Sequence, residues 1–224
     1  MDPSCSPPSS PGASSDGQAQ LPGLHIDLHL ADYFSYQVLN KTSVQKLQVN
    51  EAELQRLVAI ADVTDPGQTR AMNPNLKPFF SRGGKLLQYH GFSDPLIPSG
   101  SSIWYYEQVR SYFKNADLSD RYRLFMIPGL AHCSGGPGAS SFGRPGQSSV
   151  SQGGAGQSLN FTPQYDMILA AINWVEKGVA PKTIIGVKYK NDDIRQGAAF
   201  TRLFCPYPQA HRGNLSTRKH QLSQ

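Results

Sequence analysis

Short apolar runs alternate with amphipathic helical segments, and this alternation constrains the chain most strongly. Residues 85–90, 123–127 and 183–187 are apolar runs of strand length, and helices are predicted over 103–113 and 164–177. In the first of these helices the apolar residues recur at steps of three and four, as one face of a helix requires. Strands that alternate with helices are joined by right-handed crossovers. We therefore predict an α/β fold with a mostly parallel sheet and flanking helices.

The composition divides the chain into one ordered body and two tails. Residues 1–22 are rich in Ser, Pro, Gly and Gln, so we predict a disordered tail there. The ordered domain is expected over 23–209, and a basic, disordered tail over 210–224. A helix is predicted from Asn50, a good N-cap residue, to Ala61. The N-terminus shows neither a basic start nor an apolar core, so we expect no secretory signal peptide in this chain.

Charge and motif content argue against several classes of function. The formal net charge is +5, and the three basic residues of 206–224, which has no acid, supply +3 of it, which leaves +2 on the rest. This weak charge does not indicate nucleic-acid binding. The absence of a run of about 18 apolar residues argues against a membrane-spanning helix. The eight glycines of 134–156 match neither phosphate-binding glycine motif, so a phosphate cradle is not expected.

Two loops that follow predicted strands carry candidate catalytic residues. His90 ends the first apolar run and Asp94 follows it, and His132 follows the second run, 38 residues after Asp94. One helix and one strand lie between them, so both loops should emerge at the same edge of the sheet. A carboxylate beside an imidazole can fix its tautomer and stabilise the imidazolium that forms when it takes a hydroxyl proton. Alternatively, Asp94 is a turn residue before Pro95, and His132 is a surface histidine; His90 is interpreted as structural.

The same loops carry a family resemblance. GGKLLQYHGFSDPLIP at 83–98 and YRLFMIPGLAHCSGGPG at 122–138 resemble the C-terminal part of the tannase and feruloyl esterase family. Supporting segments are 173–181 and 205–209, and the resemblance extends over about 21–209. It implies the C-terminal part of an α/β-hydrolase fold. It also implies a secreted, extracellular serine esterase that cleaves hydroxycinnamate or gallate esters.

The resemblance assigns roles to three residues. Asp94 matches the aspartate and His132 the histidine of a Ser-Asp-His triad. Cys133 matches a cysteine that, in the family, forms a disulfide with the cysteine before the nucleophilic serine. Calcium binds in the lid domain of the family, which this sequence does not contain, so we expect no cofactor in this chain.

The sequence departs from the family pattern at the nucleophile. It contains neither the Gly-Cys-Ser-x-Gly-Gly elbow of the family nor G-x-S-x-G. Ser6 follows Cys5, but Pro7 and Pro8 come next, where a helix should begin behind a nucleophile. We therefore expect a C-terminal fragment of a carboxylic ester hydrolase that is inactive alone, with no nucleic-acid or membrane partner.

Two alternatives and one cysteine prediction remain. The chain could be a degenerate, non-catalytic hydrolase module that binds phenolic or glycan ligands, or part of another α/β-hydrolase such as a peptidase. The three cysteines, Cys5, Cys133 and Cys205, show no C-x-x-C spacing. Because the family partner of Cys133 is missing, we predict that its thiol is unpaired and reacts with a thiol probe.

Overall fold

A computed structural model of the chain describes residues 4–6, 31–43, 50–65, 71–144, 153–154 and 156–211. The chain divides into two compact units, Gly12–Asn73 and a larger one that combines Met1–Pro11 with Pro74–Gln224. The α-helices are α1 (Glu51–Thr64), α2 (Lys77–Phe80), α3 (Gly100–Tyr112) and α4 (Met167–Lys177). The strands are β1 (Cys5–Ser6), β2 (Leu86–Gly91), β3 (Tyr122–Ile127), β4 (Ile184–Tyr189), β5 (Ala198–Phe204) and β6 (Ala210–His211).

The smaller unit contains α1 and a π-helical segment, Tyr33–Val38. The predicted N-cap of α1 is confirmed, because the Asn50 side chain accepts a hydrogen bond from the Glu53 N–H at 2.9 Å. The helix runs three residues beyond its predicted end and stops at Asp65, whose backbone is left-handed. Leu57 is fully buried, so α1 is fixed by packing as well as by its cap.

Strands β2 and β3 form the predicted parallel pair. Leu86 lies opposite Tyr122 and Gly91 opposite Ile127, so both strands end together at one edge. Helix α3 connects them and packs against β3. This β-α-β unit places the loops after β2 and β3 side by side, as the sequence indicated.

Strand β3 is buried on both faces, as is usual for a strand of a parallel sheet. Phe125 and Ile127 belong to one hydrophobic cluster, together with residues of α4, β4 and β5. The alternate side chains enter a second cluster with residues of α2 and α3; they are Tyr122, Leu124 and Met126. Strand β3, paired with β2, therefore fixes the positions from which both loops start.

The C-terminal part adds a hairpin that the sequence analysis did not predict. The third apolar run is strand β4, as expected, but its partner β5 is antiparallel to it. The turn between them contains Asn191 with φ of +51° and two short 3₁₀ segments, Lys190–Asp192 and Ile194–Gln196. Helix α4 begins at the cap Asp166 and ends at Gly178, which is left-handed as a helix-ending glycine requires. Among the described strands, β2 and β3 are therefore the pair that runs parallel.

A disulfide joins the two ends of the larger unit. Cys5 is bonded to Cys205, and β1 pairs antiparallel with β6. Both short strands lie in ranges where we expected disorder, and here the expectation differs from the structure because the covalent bond holds Cys5 beside the end of β5. The rest of both tails lies outside the described residues. No helix in the described ranges is long and apolar enough to cross a membrane.

Candidate active site

The loops after β2 and β3 are joined by main-chain hydrogen bonds. Phe92 N–H donates to the Ile127 carbonyl at 3.0 Å, and Ser93 N–H donates to the Leu130 carbonyl at 3.1 Å. A Cβ atom on Gly91 would lie 2.1 Å from the Leu130 carbonyl oxygen, closer than any side chain allows. Glycine at 91 therefore lets the two loops approach each other at the end of the parallel pair.

The structure brings Asp94 and His132 together. His132 Nδ1 lies 2.9 Å from Asp94 Oδ2 and 3.2 Å from Oδ1. Because a carboxylate accepts hydrogen bonds, Nδ1 carries the hydrogen and Nε2 of a neutral ring presents its lone pair. This is the tautomer in which a histidine can accept a proton at Nε2.

Asp94 is held as a buried anion. Its side chain is 2% exposed, and Oδ1 accepts hydrogen bonds from the main-chain N–H groups of Leu96 at 2.9 Å and Ile97 at 3.0 Å. Desolvation raises the pKa of this carboxyl, but the two main-chain donors and His132 outweigh it and hold the pKa well below its usual range. The carboxylate is therefore charged whenever the fold is intact at neutral pH.

His132 lies on a loop that leaves one side of its ring open. Its side chain is 45% exposed, and Nε2 receives no hydrogen bond from the described part of the chain. The loop is closed by a hydrogen bond from Gly138 N–H to the Gly129 carbonyl at 2.9 Å. Lys188 of β4 donates to the Gly136 carbonyl at 2.7 Å. The imidazole is thus anchored through Nδ1 and accessible at Nε2.

His90 contacts the same carboxylate from the other side. Its Nε2 lies 3.3 Å from Asp94 Oδ2 and 3.2 Å from the Ile97 carbonyl oxygen. Its Nδ1 lies 2.7 Å from Ser102 Oγ, and that oxygen accepts a hydrogen bond from Gln88 Nε2 at 2.9 Å. Sequence reasoning placed His90 at the strand end but missed Ser102 and Gln88. The available signal was the two-residue spacing of Gln88 and His90, which places both side chains on one face of β2.

Cys133 follows His132 and is exposed, with φ of +56°. Cys205 is bonded to Cys5, so the prediction that Cys133 is unpaired is confirmed, while its reactivity stays a prediction. Ser6 lies in β1 opposite Ala210. Within the described ranges, no group of three or more His, Cys, Asp or Glu side chains could hold a metal ion.

Comparison with known proteins identifies relatives of this chain. A family model described as "Tannase and feruloyl esterase" matches residues 29–219. A probable feruloyl esterase B-1 from Aspergillus oryzae is 35% identical over 185 residues, which are 81% of this chain and 31% of that protein. An uncharacterized esterase from Xanthomonas campestris is 33% identical over 200 residues, covering 83% of this chain and 31% of the esterase.

Solved structures of the same family resemble this chain. The crystal structure of feruloyl esterase B from Aspergillus oryzae superimposes with a TM-score of 0.68 at 34% identity, over 80% of this chain and 33% of that one. Tannin acyl hydrolase from Aspergillus niger gives 0.57 at 26% identity, over 83% of this chain and 31% of that one. These neighbours confirm the α/β-hydrolase fold, and the chain spans about a third of the length of the relatives it matches. The chain belongs to the tannase and feruloyl esterase family.

Proposed function

We propose that this chain carries the acid and base of a serine-type carboxylic ester hydrolase, with His132 as the general base and Asp94 as the residue that orients it. The observation that carries the proposal is the 2.9 Å contact between His132 Nδ1 and a carboxylate that is 2% exposed. The other side of the imidazole is open to solvent, and a hydroxyl nucleophile can approach it there.

The reaction that suits this pair is acyl transfer through a serine. His132 Nε2 takes the proton of the serine hydroxyl as the serine oxygen attacks the ester carbonyl carbon. Asp94 stabilises the imidazolium without taking its proton. The same Nε2 proton then passes to the leaving alcohol as the ester C–O bond breaks, and water repeats the sequence to release the acid. The serine belongs to the upstream elbow that the family resemblance implies, so the chain is expected to be inactive alone.

The names of the relatives support a substrate class. Their names include feruloyl esterase and tannin acyl hydrolase, which supports esters of hydroxycinnamic or gallic acid as substrates. We also propose that the protein works outside the cell. The Cys5–Cys205 disulfide supports this location, because such bonds persist in oxidising compartments.

The test joins this chain to the upstream two thirds of the Aspergillus oryzae feruloyl esterase and measures hydrolysis of methyl ferulate and methyl gallate. We expect turnover by the joined protein and none by either part. His132→Ala should lower kcat by about 10⁶-fold, the loss typical of a missing triad base.

Ser134→Ala, an exposed position in the same loop, is the control and should leave kcat unchanged. Undiminished activity of His132→Ala would show that His132 is not the base. A folded, joined protein that binds ferulate saturably without turnover would instead indicate a non-catalytic module.

A further inference from the structure

His90 faces two oxygen atoms that can only accept hydrogen bonds. Its Nε2 lies 3.3 Å from Asp94 Oδ2 and 3.2 Å from the Ile97 carbonyl oxygen. A ring with a lone pair at Nε2 would be repelled by both, so Nε2 carries the hydrogen. The side chain of His90 is 10% exposed, so water cannot readily replace these contacts.

The other ring nitrogen is at the end of a row of hydrogen bonds. Ser102 Oγ lies 2.7 Å from Nδ1 and accepts from Gln88 Nε2 at 2.9 Å. Gln88 Oε1 in turn accepts from the Tyr122 hydroxyl. Since Gln88 supplies the donor to Ser102, the serine hydrogen is available for Nδ1. Burial raises the pKa of Tyr122, so its phenol keeps the proton that starts the row.

We infer that His90 is a positioning residue for Asp94. The row from Tyr122 through Gln88 and Ser102 holds the ring at Nδ1, so that Nε2–H faces Asp94 and Ile97. Nε2–H donates to the Ile97 carbonyl at 3.2 Å, and Nε2 lies 3.3 Å from Asp94 Oδ2, so His90 holds the turn whose main-chain N–H groups fix the carboxylate. We call this row of contacts, from Tyr122 through Gln88 and Ser102 to His90, the relay. All of its residues belong to this chain, and its role in catalysis rests on the proposed function.

Asp94 Oδ2 contacts two imidazoles, His90 at 3.3 Å and His132 at 2.9 Å. The N–H group of His90 faces the carboxylate and favours the orientation in which the carboxylate accepts from His132. The ionisable groups linked to His90 by these contacts are Asp94, His132 beyond the same carboxylate, and Tyr122 at the start of the row.

Nitrogen NMR of the full, ¹⁵N-labelled chain tests the inference directly. Long-range ¹H–¹⁵N spectra distinguish the two neutral tautomers and the cation, and His90→Gln and His132→Gln assign the two rings. We expect a hydrogen on Nε2 of His90, because that nitrogen faces two oxygen atoms that only accept hydrogen bonds. A hydrogen on Nδ1 alone would overturn the inference.

Two substitutions separate positioning from simple packing. His90→Gln keeps an N–H donor near the Nε2 position, whereas His90→Leu has none. Solvent exchange of the His132 Nδ1 proton should become about fivefold faster in His90→Leu, the change expected when one ordinary hydrogen bond is lost. His90→Gln should exchange like the unmodified chain, and so should Leu96→Ala, which truncates an exposed side chain of the same loop.

Equal exchange in folded His90→Leu and the unmodified chain would contradict the role. If His90→Leu does not fold, Ser102→Ala carries the test: with Nδ1 no longer held by Ser102, exchange of the His132 Nδ1 proton should also become faster, and exchange equal to that of the unmodified chain would refute the relay. None of these measurements needs turnover. A relay that behaves as inferred in a joined protein without esterase activity would therefore contradict the proposed function alone.

Discussion

The loop after β2 and the loop after β3 place their candidate catalytic side chains in contrasting environments. Asp94 is 2% exposed, receives hydrogen bonds from two main-chain N–H groups and from His132, and lies 3.3 Å from His90 Nε2. His132 is 45% exposed and is held through Nδ1, on a loop rich in glycine. One loop immobilises a charge, and the other presents a ring to its surroundings.

This difference follows from what each group must do in the proposed reaction. An orienting carboxylate works best when its charge and position do not change, which burial and fixed donors ensure. A base must reach a hydroxyl from another segment, so part of its ring has to stay accessible. The fold of this chain therefore encloses the Asp94 carboxylate and leaves the His132 ring open to another segment.

Among changes to the Asp94 loop, the largest expected effect comes from removing the charge of Asp94. Asp94→Asn in the joined enzyme should lower kcat by about 10⁴-fold, because an amide cannot hold the imidazole in the Nδ1–H tautomer. Methyl ferulate turnover measures the loss, and nitrogen NMR should show His132 with its hydrogen moved to Nε2.

Asp117→Asn is a matched control, because Asp117 also accepts a main-chain hydrogen bond, from Ser119 at 2.8 Å, and its pKa is also lowered. Its kcat should stay unchanged. A loss below about tenfold for Asp94→Asn would indicate that the buried carboxylate does not support the base.

A second prediction concerns the place where the two loops meet. Gly91→Ala should lower the free energy of unfolding by about 1–3 kcal/mol, because the new methyl group would collide with the Leu130 carbonyl and force the main chain apart. Urea denaturation measures the change. Gly100→Ala is the control, since a Cβ atom there has no neighbour within 4 Å and should cost less than about 0.5 kcal/mol. Equal stabilities would mean that the loops can separate without cost.

A third prediction uses acid to test the buried side. The folded state lowers the pKa of Asp94, so this carboxyl stabilises the fold above its unfolded pKa, about 3.9, and the stabilisation is lost as the pH falls further. Urea unfolding midpoints should therefore decrease below about pH 4. In Asp94→Asn this decrease should be smaller, because the amide does not titrate. The same acid slope in both proteins would show that other carboxyls control acid unfolding.

The sequence predicts the part of the site that depends on chain order. The parallel strands β2 and β3 and helix α3 were evident from short apolar runs and helical periodicity, and these elements bring Asp94 and His132 to one edge. The family resemblance pointed to the same two residues. Both the periodicity and the motifs involve residues that are close in sequence, and such patterns predict local structure well.

Long-range pairing was beyond sequence reasoning. Cys5 and Cys205 are 200 residues apart, and nothing in their local sequence pairs them. Strand β5 was missed because its pairing with β4 depends on a turn in which Asn191 and Asp192 both adopt positive φ. The contact of His90 with Ser102 joins a strand to the start of a helix, and its geometry appears only once the β-α-β unit is folded.

The smallest expected effect concerns the open side of the site. Lys188 ties the His132 loop to β4 by donating to the Gly136 carbonyl at 2.7 Å, and its side chain is 17% exposed. Lys188→Met keeps the apolar stem and removes the donor, so it should cost about 1 kcal/mol in unfolding free energy.

The more informative readout is the NMR line width of His132, which should increase as the loop gains alternative conformations, while the Asp94 loop stays unchanged. Lys190→Met, an exposed lysine two residues along, is the control and should alter neither. Unchanged His132 lines in Lys188→Met would mean that the ring is held by its bond to Asp94 alone. In that case the Asp94 loop would position both halves of the site, and the contrast between the two loops would be sharper than the contacts of Lys188 suggest.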